Sequence, residues 1–179
     1  PPIPTIDGGC IAINNISKSL IDELGSIKIL TLSTHKHPFK INSYSNEYLK
    51  KTSIESSYVD TRFKIVDAIL SLFKNNSYNI SRFYSIDFKK LIIKTLKNSN
   101  YDVIVLESLF SCNYIKTIKD YSSSKIILRS HNIEYKIWDK ISTKSSNPFK
   151  KVYFKILSNQ LKKYELEISI TLFNFVNLP

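Results

Sequence analysis

The sequence predicts an α/β protein with a Rossmann-like, doubly wound parallel sheet and helices on both faces. Two short β-branched runs, 102–107 and 125–129, are separated by room for a helix of about ten residues. A strand, a helix and a second strand in that order form a right-handed crossover between parallel strands. Near the start, a loop that ends in Gly8 and Gly9 leads directly into a helical pattern. These observations predict a single domain over residues 1–179.

The first half of the chain is predicted to alternate helices with short strands. Residues 1–9 form a proline-rich loop, and the apolar residues that follow recur at helical spacing until Gly25. Two apolar runs then predict strands on either side of a polar loop, and two later segments have helical periodicity. The helical positions are Ile13, Ile16, Leu20 and Leu24; the strands are 27–32 and 54–59, the loop is 33–51, and the later helices are 61–74 and 85–97.

Capping residues define two helix starts. Ser85 can cap the helix over 85–97, and Asp87 suits the positive end of that helix. Its apolar face contains Phe88, Leu91, Ile92 and Leu96. Asn147 followed by Pro148 begins a helix that is predicted to continue to about residue 168. The run 171–178 is then predicted to be a final strand.

A doubly wound sheet places the strand before its first glycine loop at the centre. If that strand is missing, neighbouring strands keep unpaired backbone groups. We therefore expect the natural protein to have roughly eight to ten residues before Pro1, enough for one strand and its start.

The composition indicates a globular chain with a strong positive charge. The 179 residues are 42% hydrophobic, and the net charge is +11 with a pI near 9.5. No apolar run has the length of a membrane span, and Cys10 and Cys112 have neither disulfide-framework nor zinc-type spacing. The lysines are scattered, which argues against a nucleic-acid site. One late helix nevertheless collects Lys150, Lys151, Lys155, Lys162 and Lys163, a pattern that also fits a solvated face.

The segment KIILRSHNIEYKIW is the strongest indication of a functional site. His131 lies two residues beyond a predicted strand, beside Arg129, Asn132 and Glu134, and Glu107 ends the preceding strand. Ligands of parallel sheets bind beyond the carboxyl ends of strands, so Glu107 and His131 are expected to face one crevice. The alternative is a structural histidine that caps its own loop, with Arg129 and Glu134 paired across the turn.

Other motifs with known chemistry are weak or missing. His35 and His37 offer two possible metal ligands on one segment, but no cysteine or carboxylate cluster is near them in sequence, so no metal site is predicted. The chain has no P-loop, GxSxG, GxGxxG or zinc-protease motif. Those enzyme classes are therefore disfavoured.

Taken together, the motifs resemble the amino-terminal domain of a family 4 glycosyltransferase with the two-domain GT-B fold. The resemblance covers nearly the whole chain and rests on PPIPTIDGGCIAI, THKHPF, VDTRFK, YNISRFYS, YDVIVLESLF, IILRSHNIEYKIW and NPFKKVYFKIL. It implies a retaining hexosyltransferase that moves a sugar from a nucleotide-diphosphate-sugar donor to a glycan or lipid-linked acceptor, in bacterial surface polysaccharide synthesis. No tightly bound cofactor is implied.

The resemblance also implies roles for individual residues. It places the donor diphosphate near Gly8 and Gly9, whose lack of side chains allows close approach to the backbone at a helix start. The same Gly-Gly sequence fits a simple tight turn. His131 is the implied catalytic residue. The implied acceptor contacts are Glu107, Arg82, Arg129 and Asn132. The alternatives are a capping or surface carboxylate for Glu107 and an ordinary salt bridge for Arg82.

Relatives in this family carry a second domain that binds the donor nucleotide, and no counterpart lies within residues 1–179. We therefore expect this chain alone to be inactive. The implied location is cytoplasmic, and the charge of +11 is compatible with peripheral attachment to the inner face of the membrane. The main alternative is a non-catalytic basic α/β module that binds an anionic polymer or a membrane surface.

Overall fold

A computed structural model describes residues 1–64, 66–67, 70–71 and 77–176, with side chains as far as residue 172 at the carboxyl end. These residues form two compact units. Unit 1 contains 1–62 and 85–95, and unit 2 contains the described part of 63–84 and of 96–179. The single domain predicted over 1–179 stays a prediction.

Unit 1 contains the first helix and the first pair of strands. Helix α1 is Gly8–Leu24, strand β1 is Leu30–Ser33, a 3-10 turn is Ile41–Ser43, helix α2 is Asn46–Thr52 and strand β2 is Glu55–Tyr58. Strands β1 and β2 are parallel, with Leu30 opposite Glu55. The core of this unit is formed by Ile21, Tyr44, Tyr48 and Ile54.

Unit 2 contains the second pair of strands and the long helices. Helix α3 is Tyr78–Ser81, helix α4 is Ile86–Asn98 and begins in unit 1, strand β3 is Val103–Glu107, a 3-10 helix is Leu109–Tyr114, helix α5 is Ile115–Tyr121 and strand β4 is Lys125–Arg129. Helix α6 is Glu134–Lys144, and helix α7 is Pro148–Val176. Strands β3 and β4 are parallel, as the predicted crossover requires.

The α/β class and the parallel strand pairs are confirmed, but the described residues show two separate two-stranded sheets. Helices were also expected on both faces of the sheet. In the β3–β4 pair, Val103, Val105 and Ile127 alternate with Leu106 and Ile126, so the two sets lie on opposite faces. The first set is exposed and the second is buried. No element among the described residues covers this apolar face of the β3–β4 pair.

Several predicted boundaries are confirmed by their caps. The backbone ends α1 at Gly25 with φ of 79°, a left-handed value that glycine adopts without strain. The Ser85 hydroxyl accepts the Phe88 N–H at the start of α4, and the Asn147 carboxamide oxygen accepts the Lys150 N–H at the start of α7. These side chains supply acceptors for N–H groups that lack helical partners.

Other predictions are wrong. The loop expected over 33–51 contains α2, which Ser45 caps by accepting the Tyr48 N–H. Helix α7 continues through the strand expected at 171–178 as far as Val176, since no proline or glycine interrupts it. On α1 the predicted Leu24 is exposed, and the buried positions are Cys10, Ser17 and Ile21. The helix predicted over 61–74 falls partly outside the described residues.

Among the helices of the described segments, none combines the length and apolarity that crossing a bilayer requires.

Candidate functional site

The carboxyl ends of β3 and β4 lie side by side. The two strands are in parallel register, with Glu107 opposite Arg129. The Ser108 N–H donates to the Arg129 carbonyl over 3.0 Å, which extends the ladder by one bond. Ser108 has φ of 75°, an uncommon value for a residue other than glycine. Backbone strain of this kind is often found at functional sites.

The Glu107 carboxylate joins Arg129 to His131. Arg129 Nε lies 2.9 Å from Oε1 and 3.0 Å from Oε2 of Glu107, and Arg129 Nη2 lies 2.9 Å from Oε2. His131 Nε2 lies 3.0 Å from the same Oε2. The side chains of His131, Glu107 and Arg129 are 17%, 22% and 31% exposed. We call these three residues the strand-end triad.

The triad fixes the orientation of the imidazole. An ionised carboxylate only accepts hydrogen bonds, so His131 Nε2 must carry the proton that it shares with Glu107. In the neutral ring, Nδ1 then holds a lone pair, and no described residue donates a hydrogen bond to it. A carboxylate that orients a histidine also stabilises the imidazolium formed when the free nitrogen takes a proton. The arrangement is therefore suited to a general base or to a hydrogen-bond acceptor.

In the turn after β4, Arg129 does not pair with Glu134, which is the alternative that the sequence left open. Arg129 contacts Glu107 instead, while the Asn132 side chain lies near the Glu134 carboxyl and opposes the rise in its pKa. Asn132 is exposed, and its carbonyl accepts the Ser130 hydroxyl over 2.7 Å. Asn132 is therefore in the same turn as His131, although no described contact joins it to the triad.

Glu134 instead lies close to a second acid. The Glu134 N–H donates to Glu165 Oε1 over 2.6 Å. Burial raises the pKa of the Glu134 carboxyl, and the nearby Glu165 charge raises it further. Burial also raises the pKa of Glu165. These two carboxyls oppose folding once both are ionised.

We expect the unfolding free energy of Glu134→Gln, relative to that of the wild type, to increase as the pH rises. A folded-state pKa raised above the unfolded value stabilises the fold below about pH 4, and this contribution is lost as the pH rises through the folded pKa. The glutamine side chain does not ionise, so the stability of the variant does not fall in this way as the pH rises. Its unfolding free energy minus that of the wild type should therefore increase by up to about 1 kcal/mol between about pH 4 and pH 7.

Urea unfolding at several pH values measures this difference. Glu23→Gln, which removes an exposed acid on α1, is the control for the loss of one negative charge. An equal trend in both variants would contradict a specific effect of the Glu134–Glu165 pair.

Arg82 occupies a different part of unit 2. It follows α3, and its guanidinium lies 5.3 Å from the centroid of the Phe83 ring. Its Nε is buried without a hydrogen-bond partner, and burial lowers the pKa of the guanidinium. No described residue forms an ion pair with Arg82, so the ordinary salt bridge is not observed. Nor does any described contact connect Arg82 with the strand-end triad.

Gly8 and Gly9 are the first residues of α1 in unit 1. Asp7 caps this helix by accepting the Cys10 N–H on Oδ1 over 3.1 Å. A Cβ built on Gly8 meets no atom within 4 Å, and one on Gly9 meets only Asp7 Oδ1, at 3.4 Å. The protein's own packing therefore does not require a glycine at position 8. The space beside it is open to a ligand.

Unit 1 contains a cluster of possible metal ligands that the sequence does not predict. Asp7, Cys10 and His37 each offer a metal-ligand atom, and these atoms lie within 4.8 Å of one another. The cysteine and carboxylate that His37 lacks along the chain are thus close to it in space. His35 is exposed and does not belong to this cluster.

Comparison with protein families, with curated proteins and with solved structures finds no match to this chain.

Proposed function

We propose that this chain is the acceptor-side domain of a retaining glycosyltransferase that uses a nucleotide-diphosphate-sugar donor. The observation that carries the proposal is the strand-end triad, in which a carboxylate orients a histidine at the carboxyl ends of two parallel strands. That edge is where open α/β sheets bind ligands. The resemblance of the ordered motifs to GT-B amino-terminal domains supplies the reaction class.

In this proposal His131 acts on the acceptor. Its Nδ1 accepts the hydrogen bond, and later the proton, of the acceptor hydroxyl as a bond forms between that oxygen and the anomeric carbon. The bond from the anomeric carbon to the diphosphate breaks on the same face from which the acceptor oxygen attacks, so the configuration is retained, and the electron pair leaves with the phosphate oxygen. Glu107 stabilises the positive imidazole, and Arg129 holds Glu107 in place. Glu107 is thus a positioning residue here, and its predicted acceptor contact stays a prediction.

The doubly wound sheet also belongs to the proposal. The four strands form two pairs, β1 with β2 and β3 with β4, and each pair is parallel. In a Rossmann-like sheet whose central strand comes before β1 in the chain, β1 pairs with β2 on one side of the centre and β3 pairs with β4 on the other. The four described strands pair in this way. The apolar character of the exposed face of the β3–β4 pair also fits a parallel sheet that is buried on both faces. The proposed location is the cytoplasmic side, near lipid-linked acceptors.

The activity of the full-length protein tests the proposal. We expect this protein to consume a nucleotide-diphosphate sugar and to form a product with retained anomeric configuration, which NMR detects. Gly8→Ala should fold with unchanged or slightly higher stability, because its Cβ meets no atom within 4 Å. It should raise the donor KM by about tenfold, since one charged hydrogen bond to the diphosphate is weakened.

Ser19→Ala, on the exposed side of α1, is the matched control and should leave the donor KM unchanged. An unchanged donor KM in Gly8→Ala would remove the diphosphate role of this loop. A full-length protein that consumes none of the common nucleotide-diphosphate sugars would contradict the proposed function itself.

One observation favours the alternative of a basic binding module. At the start of α7, the apolar side chains of Phe149 and Val152 are 85% and 61% exposed beside Lys150 and Lys151. Apolar and basic side chains together bind anionic membrane surfaces. Binding to anionic vesicles without any sugar transfer by the full-length protein would favour this function over the enzyme.

A further inference from the structure

The N-terminal end of α1 and the loop after β1 bring three kinds of metal ligand together in unit 1. Asp7 precedes α1, Cys10 lies in the first turn of α1, and His37 follows β1. A carboxylate oxygen, the thiol sulfur and a ring nitrogen lie within 4.8 Å of one another. We propose that this cluster binds one divalent transition-metal ion of the zinc type, with water as the fourth ligand. Three protein ligands and one water form an open tetrahedral site of a kind that zinc commonly occupies.

The ligand distances require only a small adjustment. Bonds of about 2.0–2.1 Å place nitrogen and oxygen ligands of tetrahedral zinc about 3.3 Å apart. Asp7 Oδ2 and His37 Nε2 are 2.8 Å apart and share a hydrogen bond. The two side chains therefore move apart by about half an ångström as the metal takes the place of the shared proton, and His37 binds through Nε2 as the neutral tautomer that is protonated on Nδ1. Zinc–sulfur bonds of about 2.3 Å place a sulfur ligand about 3.5 Å from nitrogen and oxygen ligands, so Cys10 Sγ, which lies within 4.8 Å of the other two ligand atoms, moves inward by at most about 1.3 Å.

The backbones of the ligands are already held in place. Asp7 Oδ1 accepts the Cys10 N–H, which leaves Oδ2 available for the metal. The His37 N–H donates to Thr34 Oγ1 over 2.9 Å, and the Thr34 N–H donates to the His37 carbonyl over 3.0 Å. Thr34 is itself buried, so this reciprocal pair fixes the loop after β1. Ligands fixed before binding lose less conformational entropy when the metal arrives.

Solvent can reach the site from one side. The side chains of His37 and Asp7 are 26% and 39% exposed, whereas Cys10 is buried. The metal enters over the histidine and the carboxylate, and the thiol proton leaves to solvent as the sulfur binds. Lys36 Nζ lies 3.7 Å from Asp7 Oδ2 and opposes a dication, but the Lys36 side chain is 74% exposed and can turn into water.

Titration of the purified full chain with Co²⁺ tests this proposal, because cobalt replaces zinc and reports on its ligands by absorption. We expect one Co²⁺ per chain, intense visible bands of tetrahedral cobalt, and a thiolate-to-cobalt band in the near ultraviolet that one equivalent of Zn²⁺ abolishes. Cys10→Ser should lose the thiolate band. His37→Gln should weaken binding at least about tenfold.

Two matched controls separate this site from other thiols and histidines. Cys112→Ser removes the other cysteine, and His35→Gln removes the neighbouring exposed histidine; both should bind Co²⁺ like the wild type. If Cys10→Ser loses its wild-type circular dichroism spectrum, His37→Gln alone decides, because His37 lies on a partly exposed loop.

The proposal is overturned if the wild type gives no thiolate band, or if the band persists in Cys10→Ser. Loss of binding in His35→Gln with full binding in His37→Gln would also overturn it. None of these measurements requires sugar transfer, so the metal site and the proposed function can fail independently.

Discussion

His131→Ala is expected to lower turnover of the full-length protein by about 10²- to 10⁴-fold, the usual effect of losing a positioned acid–base group. The alanine removes the ring nitrogen that receives the acceptor proton. The fold should be retained, because the only hydrogen bond described for the imidazole is to Glu107, and 17% of the side chain is exposed. Steady-state kinetics with the nucleotide-diphosphate sugar measures the loss, and thermal melting checks the fold.

A second substitution separates proton transfer from positioning. His131→Gln can still donate a hydrogen bond to Glu107, yet its amide cannot accept a proton, so we expect turnover as low as in His131→Ala. His35→Ala, in an exposed loop of unit 1, should leave turnover unchanged. Turnover within a few-fold of the wild type in His131→Ala would rule out a catalytic role for this residue.

Glu107→Gln is expected to lower both stability and turnover. The amide keeps the size of the side chain but loses the charge, and its NH₂ group cannot accept from Arg129 or His131. Arg129 and His131, which are partly buried, then donate to a neutral amide oxygen and no longer to a carboxylate. We expect a loss of about 1–2 kcal/mol in unfolding free energy, allowing for solvent screening of these partly exposed groups. Turnover should fall by about tenfold or more, because the imidazolium loses its counter-charge.

Urea unfolding compares this loss with that of Glu55→Gln. Glu55 also lies on a parallel strand and pairs with Lys28, but its side chain is 40% exposed. Since exposed ion pairs contribute little, Glu55→Gln should cost less than Glu107→Gln. Equal losses would mean that the triad is an ordinary surface ion pair.

Local sequence was enough to predict the β3–β4 unit and the meeting of Glu107 with His131. The β-branched runs and the helix between them allow one crossover, and parallel strands bring their carboxyl ends to the same edge. The partner of Arg129 could not be predicted in the same way. Glu134 is nearer in sequence, but Glu107 is opposite Arg129 across the strands, and strand register is a tertiary property.

Two errors in secondary structure have recognisable causes. Helix α2 is short and mostly polar, so hydrophobic periodicity does not reveal it, although Ser45 followed by Glu47 is a helix-start signal. The β-branched residues after Ile168 favoured a strand on propensity. Extending an existing helix costs less than starting a new element, so α7 continues.

The spacing of residues in the sequence does not predict the Asp7–Cys10–His37 cluster. His37 lies 30 positions from Asp7, and the two residues meet only because the N-terminus of α1 and the end of β1 converge. Metal-ligand spacing rules apply to ligands on one or two local loops. They do not detect a cluster that the tertiary fold assembles.

The central claim is that Glu107 acts through His131, and a double-variant cycle in the full-length protein tests it most directly. The measurement is kcat/KM for His131→Ala, Glu107→Gln and the double variant. We expect the double variant to be within about threefold of His131→Ala alone, since residues that act as a unit are not additive. Losses that multiply across the two sites would contradict the claim.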